Sequence, residues 1–207
     1  CIPECLRIMD QQPVSIVPID EQHLAAVAQL HIQGINQGFI SSLGPAFVRR
    51  LYQGIIHCPE AFGFVACQDE HVLGFIGCAE SVGAVYKHVL KRSFFSLAWR
   101  MLPRMLVWRN VRNAFETLFY PAKAESDLPK AEILSVAVDQ TARGLGIGRL
   151  LMTAALDEFQ RRGITTVKVM VGEQLPANEY YKKLGFTLAG QHLHHGYLLN
   201  AYLKQLS

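Results

Sequence analysis

Arg143-Gly144-Leu145-Gly146-Ile147-Gly148 sets a guanidinium beside three alternating glycines, between an apolar run (Ile133 to Val138) and a helical pattern reaching about Arg162. A strand, a glycine turn and a helix start in that order make an anion site. Glycines let the backbone approach phosphate oxygens, successive N–H groups converge on them, and the helix N-terminus adds partial positive charge. Arg143 adds a full charge in a fork that matches phosphate. A glycine turn that only breaks the chain before a helix is the structural alternative. A triphosphate loop is excluded, because no Gly-Lys-Ser/Thr ending follows. A dinucleotide fingerprint fails as well: Arg149 and Leu150 stand where its last glycine is needed.

His192, His194 and His195 are a second cluster that could do chemistry. Adjacent residues on an extended chain point to opposite faces, and no Cys or carboxylate completes a ligand set, so the expectation is a hairpin turn carrying His and no metal. No Ser–His–Asp or reactive-cysteine pattern stands out. Five cysteines, with Cys58, Cys67 and Cys78 in apolar stretches, read as reduced core thiols.

The stretch from Ile133 to Leu151 resembles the signature strand–turn–helix of the GNAT acetyltransferase superfamily, whose Arg/Gln-x-x-Gly-x-Gly/Ala core is met by Arg143, Gly146 and Gly148. Downstream, Tyr181-Lys182-Lys183-Leu184-Gly185-Phe186 is similar to the family's Tyr-x-x-x-Gly-Phe block. The resemblance is specific over about residues 131–188. It implies that acetyl-CoA is the acyl donor, with its pyrophosphate on the turn from Arg143 through Gly144, Leu145, Gly146, Ile147 and Gly148 to Arg149. It also implies a bulge around Val136, Ala137 and Val138 that frees N–H groups for pantetheine and the thioester carbonyl. Gln174 stands where family members often carry a pantetheine-binding Asn, and keeps the amide with one more methylene. Tyr181 matches the usual general acid for the leaving thiolate. Glu132, at the head of the cofactor strand, is the candidate base, with waters or a merely solvated carboxylate as alternatives.

Positioning these residues requires an α/β fold. Val14 to Ile19 alternates as a first strand, with Asp20 as N-cap for a helix carrying Leu24, Val27, Ala28, His31 and Ile35 on one face. Gly44-Pro45 opens a second helix with Phe47, Val48, Leu51, Tyr52, Ile55 and Ile56 as its stripe. Phe62 to Cys67 and Val72 to Ala79 form a hairpin around Gln68-Asp69-Glu70-His71. Ile133 to Val138 reads as a strand buried on both faces. A strand over Ile164 to Val171, a helix over Ala177 to Leu184 and a last strand pair ending near Leu203 follow. With the resemblance, the expectation is a single GNAT domain over 1–207. Its sheet is mixed and mostly antiparallel, flanked by helices, with an acetyl-CoA core at 131–188 and a basic helical insertion at about 81–129.

Half of the 207 residues are hydrophobic and 18% are charged, a globular composition on the apolar side. No uncharged apolar run reaches the ~18 residues of a membrane span. The sequence starts at Cys1 with no basic-then-apolar leader pattern, and the expectation is a cytoplasmic protein. The net charge of +3 is uneven: Ser81 to Phe115 holds seven Lys/Arg and no Asp/Glu, while the remainder has 13 basic against 17 acidic residues. Three readings fit that segment: a solvated cap, an interfacial helix making peripheral membrane contact, and a lid attracting an anionic acceptor. Of the two functional readings the lid is preferred over the membrane, because the segment lies between the hairpin and the cofactor strand. Nucleic acid is not expected, since no binding module accompanies the charge. The expected function is N-acylation of an amine on a small molecule such as an amino sugar or nucleotide-linked sugar. A protein or peptide N-acetyltransferase and a non-catalytic acyl-CoA-binding module are the alternatives.

Overall fold

The alternation that opens the chain becomes strand β1 (Ser15–Pro18) in the computed structural model, which describes residues 13–35, 39–88, 128–194 and 197–206. Asp20 then caps a 3₁₀ turn over Glu21–His23: its carboxylate accepts from the Gln22 N–H, and His23 Nδ1 accepts from the Asp20 N–H. Helices α1 (Leu24–Gly34), α2 (Phe39–Ser42) and α3 (Pro45–Ile56) follow, the last with Pro at its first turn. The hairpin is β2 (Ala61–Gln68) and β3 (His71–Ala79), turned by Asp69 at φ 53. A helical stretch over 82–88 (α4) leads to residues outside the described set. Strand β4 (Glu132–Val138), helix α5 (Ile147–Arg161), strand β5 (Thr166–Gly172), helix α6 (Ala177–Lys183), and strands β6 (Thr187–His194) and β7 (Tyr197–Gln205) complete the order.

The seven strands form one sheet, β1-β2-β3-β4-β5-β7-β6. Every pairing is antiparallel except β4 with β5. Two apolar layers cover it. On one face α1 and α3 bury Leu24, Val27, Val48, Tyr52 and Ile55 against Val65 and Phe75. On the other, α5 buries Ile147, Leu151, Met152, Ala155 and Phe159 against Ile76, Ile133 and Val167. The layers hold because α1, α3 and α5 each present an apolar stripe at helical spacing. Cys58 and Cys78 are buried and Cys67 half-buried, all as free thiols.

Two expectations are corrected. Strand β4 is not buried throughout: Ile133 and Ala137 are buried, and the rest are half-buried. Its irregularity is also displaced from Val136–Val138, since Ser135 pairs with Gly77 and Ile133 with Cys78, leaving Leu134 as the extra residue. Most of the basic segment, including Lys91, Arg92, Arg100, Arg104, Arg109 and Arg112, lies outside the described residues, as does His195.

Candidate functional site

Strands β4 and β5 pair at a single position, Glu132 with Lys168, and then separate. The Lys168 N–H donates to the Ala131 carbonyl at 2.9 Å just before they part. Farther along β4, the Asp139 N–H donates to the Leu73 carbonyl of β3 at 2.8 Å. Alternation along the strand turns the Ala137 amide toward β3 and the Val136 and Val138 amides toward the side that β5 has left. Ala137 has a packing role besides: a Cβ on Gly34 of α1 would come within 2.8 Å of its Cβ, so helix and strand touch there.

The glycine turn lies just past this opening. Gly144 (φ 82) and Gly146 (φ 79) adopt left-handed backbone, and Gly146 is the N-cap of α5. A Cβ built on either would meet nothing within 4 Å, so the backbone is open to an incoming group. The Arg149 and Leu150 N–H groups bond back to the Gly146 carbonyl, which leaves the Ile147 and Gly148 amides as first-turn donors. Gly148 serves a different end: a Cβ there would sit 3.1 Å from Tyr180 Oη, and its absence lets α5 and α6 approach. Leu145, 70% exposed, projects from the turn.

Helix α6 brings two tyrosines to this region. Tyr181 is buried, edge-on to Tyr180 and Phe186, with ring centroids 5.3 and 5.5 Å away. Burial raises its phenol above the ordinary range, reinforced by Tyr180 and the Cys78 thiol. Tyr180 Oη is buried without a hydrogen-bond partner, and burial pushes that phenol up to about 12. An orphaned hydroxyl beside a glycine-lined helix start fits a site built for a polar ligand. Gln174 is exposed on the turn after β5. The buried amide nearby belongs to Asn178, whose Nδ2 donates to the Gly172, Glu173 and Leu175 carbonyls at 2.9, 3.0 and 2.6 Å. Its Oδ1 accepts from Asn200 Nδ2 at 2.8 Å, locking the β5–α6 turn to β7.

Glu132 is no solvated strand end. Lys168 Nζ lies 3.5 Å from its Oε2, with side chains 15% and 3% exposed. Burial raises the Glu132 carboxyl to about 8 and lowers the Lys168 ammonium to about 8. Attraction within the pair opposes both shifts, so the pair titrates as a unit. Burial, and then the nearby Glu132 charge, raises the phenol of Tyr86 on α4 to about 12.

Sequence reasoning missed Lys168, although a lone cation in the β-branched run 164–171 is a signal for a paired, buried charge. It also missed a hydrogen-bonded chain on the α1/α3 face: His31 Nδ1 to Tyr52 Oη at 2.8 Å, and Tyr52 Oη to Ser135 Oγ at 2.6 Å. No local pattern could give it, since the partners lie 21 and 83 residues apart. Among the described residues, no three His, Cys, Asp or Glu side chains gather as a metal site.

The Acetyltransferase (GNAT) family model matches residues 32–186. A mycothiol acetyltransferase from Thermomonospora curvata is 40% identical over 70 residues, 33% of this chain and 23% of that protein. The chain thus spans about a quarter of the length of the curated relatives it matches. In fold it is similar to an N-acetyltransferase from Staphylococcus aureus, with TM-score 0.62 and 16% identity over 95% of this chain and 100% of that one. A structure from Salmonella typhimurium, determined with its cofactor acetyl-CoA, aligns with TM-score 0.55 and 15% identity over 94% of each chain.

Proposed function

The chain belongs to the GNAT acetyltransferase family, and on that premise we propose that it moves an acetyl group from acetyl-CoA to an amine. One observation carries the reading: β4 and β5 separate beyond Glu132–Lys168, and the opening leads to a glycine turn whose backbone is unobstructed. Acetyl-CoA supplies the thioester. The Ile147 and Gly148 amides, with Arg143, would hold its pyrophosphate at the start of α5. The Val136 and Val138 amides, freed by the departure of β5, would hold pantetheine and polarise the thioester carbonyl. These donors are fixed by the sheet, so they need no rearrangement as charge grows on that oxygen.

Tyr181 is the proposed proton donor to the leaving sulfur. Its phenol is fully protonated at neutral pH, and because a thiol's ordinary pKa is about 8.5, a thiolate draws that proton only where the site disfavours the thiolate more than the phenolate. Burial makes that phenol a weaker acid, so the proposed role rests on its place in the Tyr-x-x-x-Gly-Phe block and not on its pKa. Glu132 is the proposed base, and its raised carboxyl gives it the basicity to take a proton from an ammonium.

For the acceptor we propose an amine-bearing small molecule. The curated relatives named for mycothiol favour that class over a protein. The cationic run from Lys87 to Arg112 favours an anionic one. Charge reversal at Arg100, Arg104 and Arg109 should raise the acceptor KM and spare acetyl-CoA affinity. Unchanged acceptor KM with lost binding to anionic liposomes would assign that run to a membrane surface instead. The reading as a whole is tested by thermal shift. Acetyl-CoA at a hundredfold excess over Kd should add about 2.7 kcal/mol of stability, and amines giving a further shift should then release free CoA thiol. No shift at millimolar acetyl-CoA would defeat it.

A further inference from the structure

The His31–Tyr52–Ser135 chain sits in an otherwise apolar layer. His31 and Tyr52 are 5% and 2% exposed, packed on Phe75 with ring centroids 6.3 and 5.3 Å away. Three polar side chains in such a place are costly unless every bond is made, and a half-satisfied network is worse than none. Here the bonds are made at 2.8 and 2.6 Å, and the chain does not end in the core. It ends on half-buried Ser135, the β4 residue just before Val136. Across the ladder Ser135 faces Gly77, where a Cβ would come 3.4 Å from Ser135 Oγ and 3.5 Å from Tyr52 Cε1. The missing side chain keeps the hydroxyl uncovered.

A tyrosine hydroxyl donates one hydrogen bond, so the chain has two polarities. With Tyr52 donating to His31 Nδ1, Ser135 donates to Tyr52 and keeps its lone pairs for an outside donor. With His31 donating, the order reverses and Ser135 presents its proton. Burial lowers His31 to about 4, so the imidazole is neutral at physiological pH and Nδ1 is available as an acceptor. The first polarity follows when Nε2 carries the ring proton.

Resting on the acetyltransferase reading, we infer that Ser135 Oγ is the subsite for an N–H of the acceptor's amino group, with Tyr52 and His31 as the residues that hold it in accepting orientation. Ser135 takes up no proton. It holds one N–H while the nitrogen lone pair faces the carbonyl next to Val136. During transfer a C–N bond forms and the C–S bond breaks, the amine's surplus proton passes to Glu132, and the sulfur receives one from Tyr181.

The test uses methylammonium chloride as the probe and ring ¹⁵N shifts of labelled histidine as the readout, on the whole chain with and without CoA. The His31 signal is assigned by its loss in His31→Asn. Methylammonium should give a saturable shift at His31, and tetramethylammonium, with the same charge and no N–H, should not. Ser135→Ala and Tyr52→Phe should abolish the response, and Ser135→Thr should keep it. No saturable shift in the unmodified protein, or an equal shift in Ser135→Ala, would overturn the subsite. Calorimetry with CoA on the same samples judges the cofactor reading separately, so a failure of one is not mistaken for a failure of the other.

Discussion

Glu132 on β4 and Lys168 on β5 are the single residue pair at which those strands meet, and their side chains close to 3.5 Å at that point. The sheet splits beyond them. The ion pair fastens the two halves of the sheet where they part, and its carboxylate is the proposed base.

Burial raises the Glu132 carboxyl and the base works only when deprotonated, so kcat/KM should climb as pH rises above the ordinary carboxylate range, along a limb set by the Glu132–Lys168 pair. Glu132→Gln should flatten that limb. Lys168→Met removes the ammonium that favours the carboxylate, and should move the limb to higher pH. An unaltered pH–rate profile in Glu132→Gln takes Glu132 out of the chemistry.

Tyr181→Phe removes only the hydroxyl from a ring that stays packed against Tyr180, Phe186 and Tyr202. A lost general acid costs ~10²–10⁴ in rate, and kcat should fall in that range with the acetyl-CoA KM little changed. Wild-type turnover in steady-state assays would leave Tyr181 as packing alone.

Much of this arrangement was legible in the sequence because it is local. The strand–glycine–helix run and the Tyr-x-x-x-Gly-Phe block each lie within about twenty residues, and the structure sets both beside the open edge of β4. What was illegible depends on distant partners. The opening at Val136 and Val138 lies beyond the point where β5 leaves β4, and the Leu134 irregularity between that point and Val136 is visible only in register with Gly77 and Cys78. Gly148 reads as a phosphate glycine, yet its contact is Tyr180, 32 positions on.

Asn178 should prove structural. Its amide satisfies three carbonyls at the β5–α6 turn and one asparagine on β7. Asn178→Ala leaves those groups unpaired and should cost on the order of 1–3 kcal/mol or more in urea unfolding. A change within ±0.5 kcal/mol would contradict the clamp.

Acid should weaken the fold through Glu158. Side-chain hydrogen bonds from Arg161, then from Arg162, hold its carboxyl down to about 2, and Arg162 also reaches Glu80 at 2.6 Å. Because the folded value lies below the unfolded one of about 4.3, the stabilisation is complete above that pH. It is lost as pH falls toward 2. Glu158→Gln should lower Tm at pH 7 and narrow the Tm gap to the parent at pH 3; an equal gap at both pH values would refute this.

The most direct measurement is calorimetric titration of acetyl-CoA into the parent chain, Gly146→Val and Arg143→Glu. Gly146 has φ 79, a conformation that a β-branched residue strongly resists, and a Cβ there would meet no protein atom within 4 Å. The substitution therefore distorts the turn without crowding the core. The account predicts saturable binding by the parent, and loss of measurable binding in both variants while their circular dichroism stays that of the parent. Unchanged acetyl-CoA affinity in Gly146→Val would contradict it.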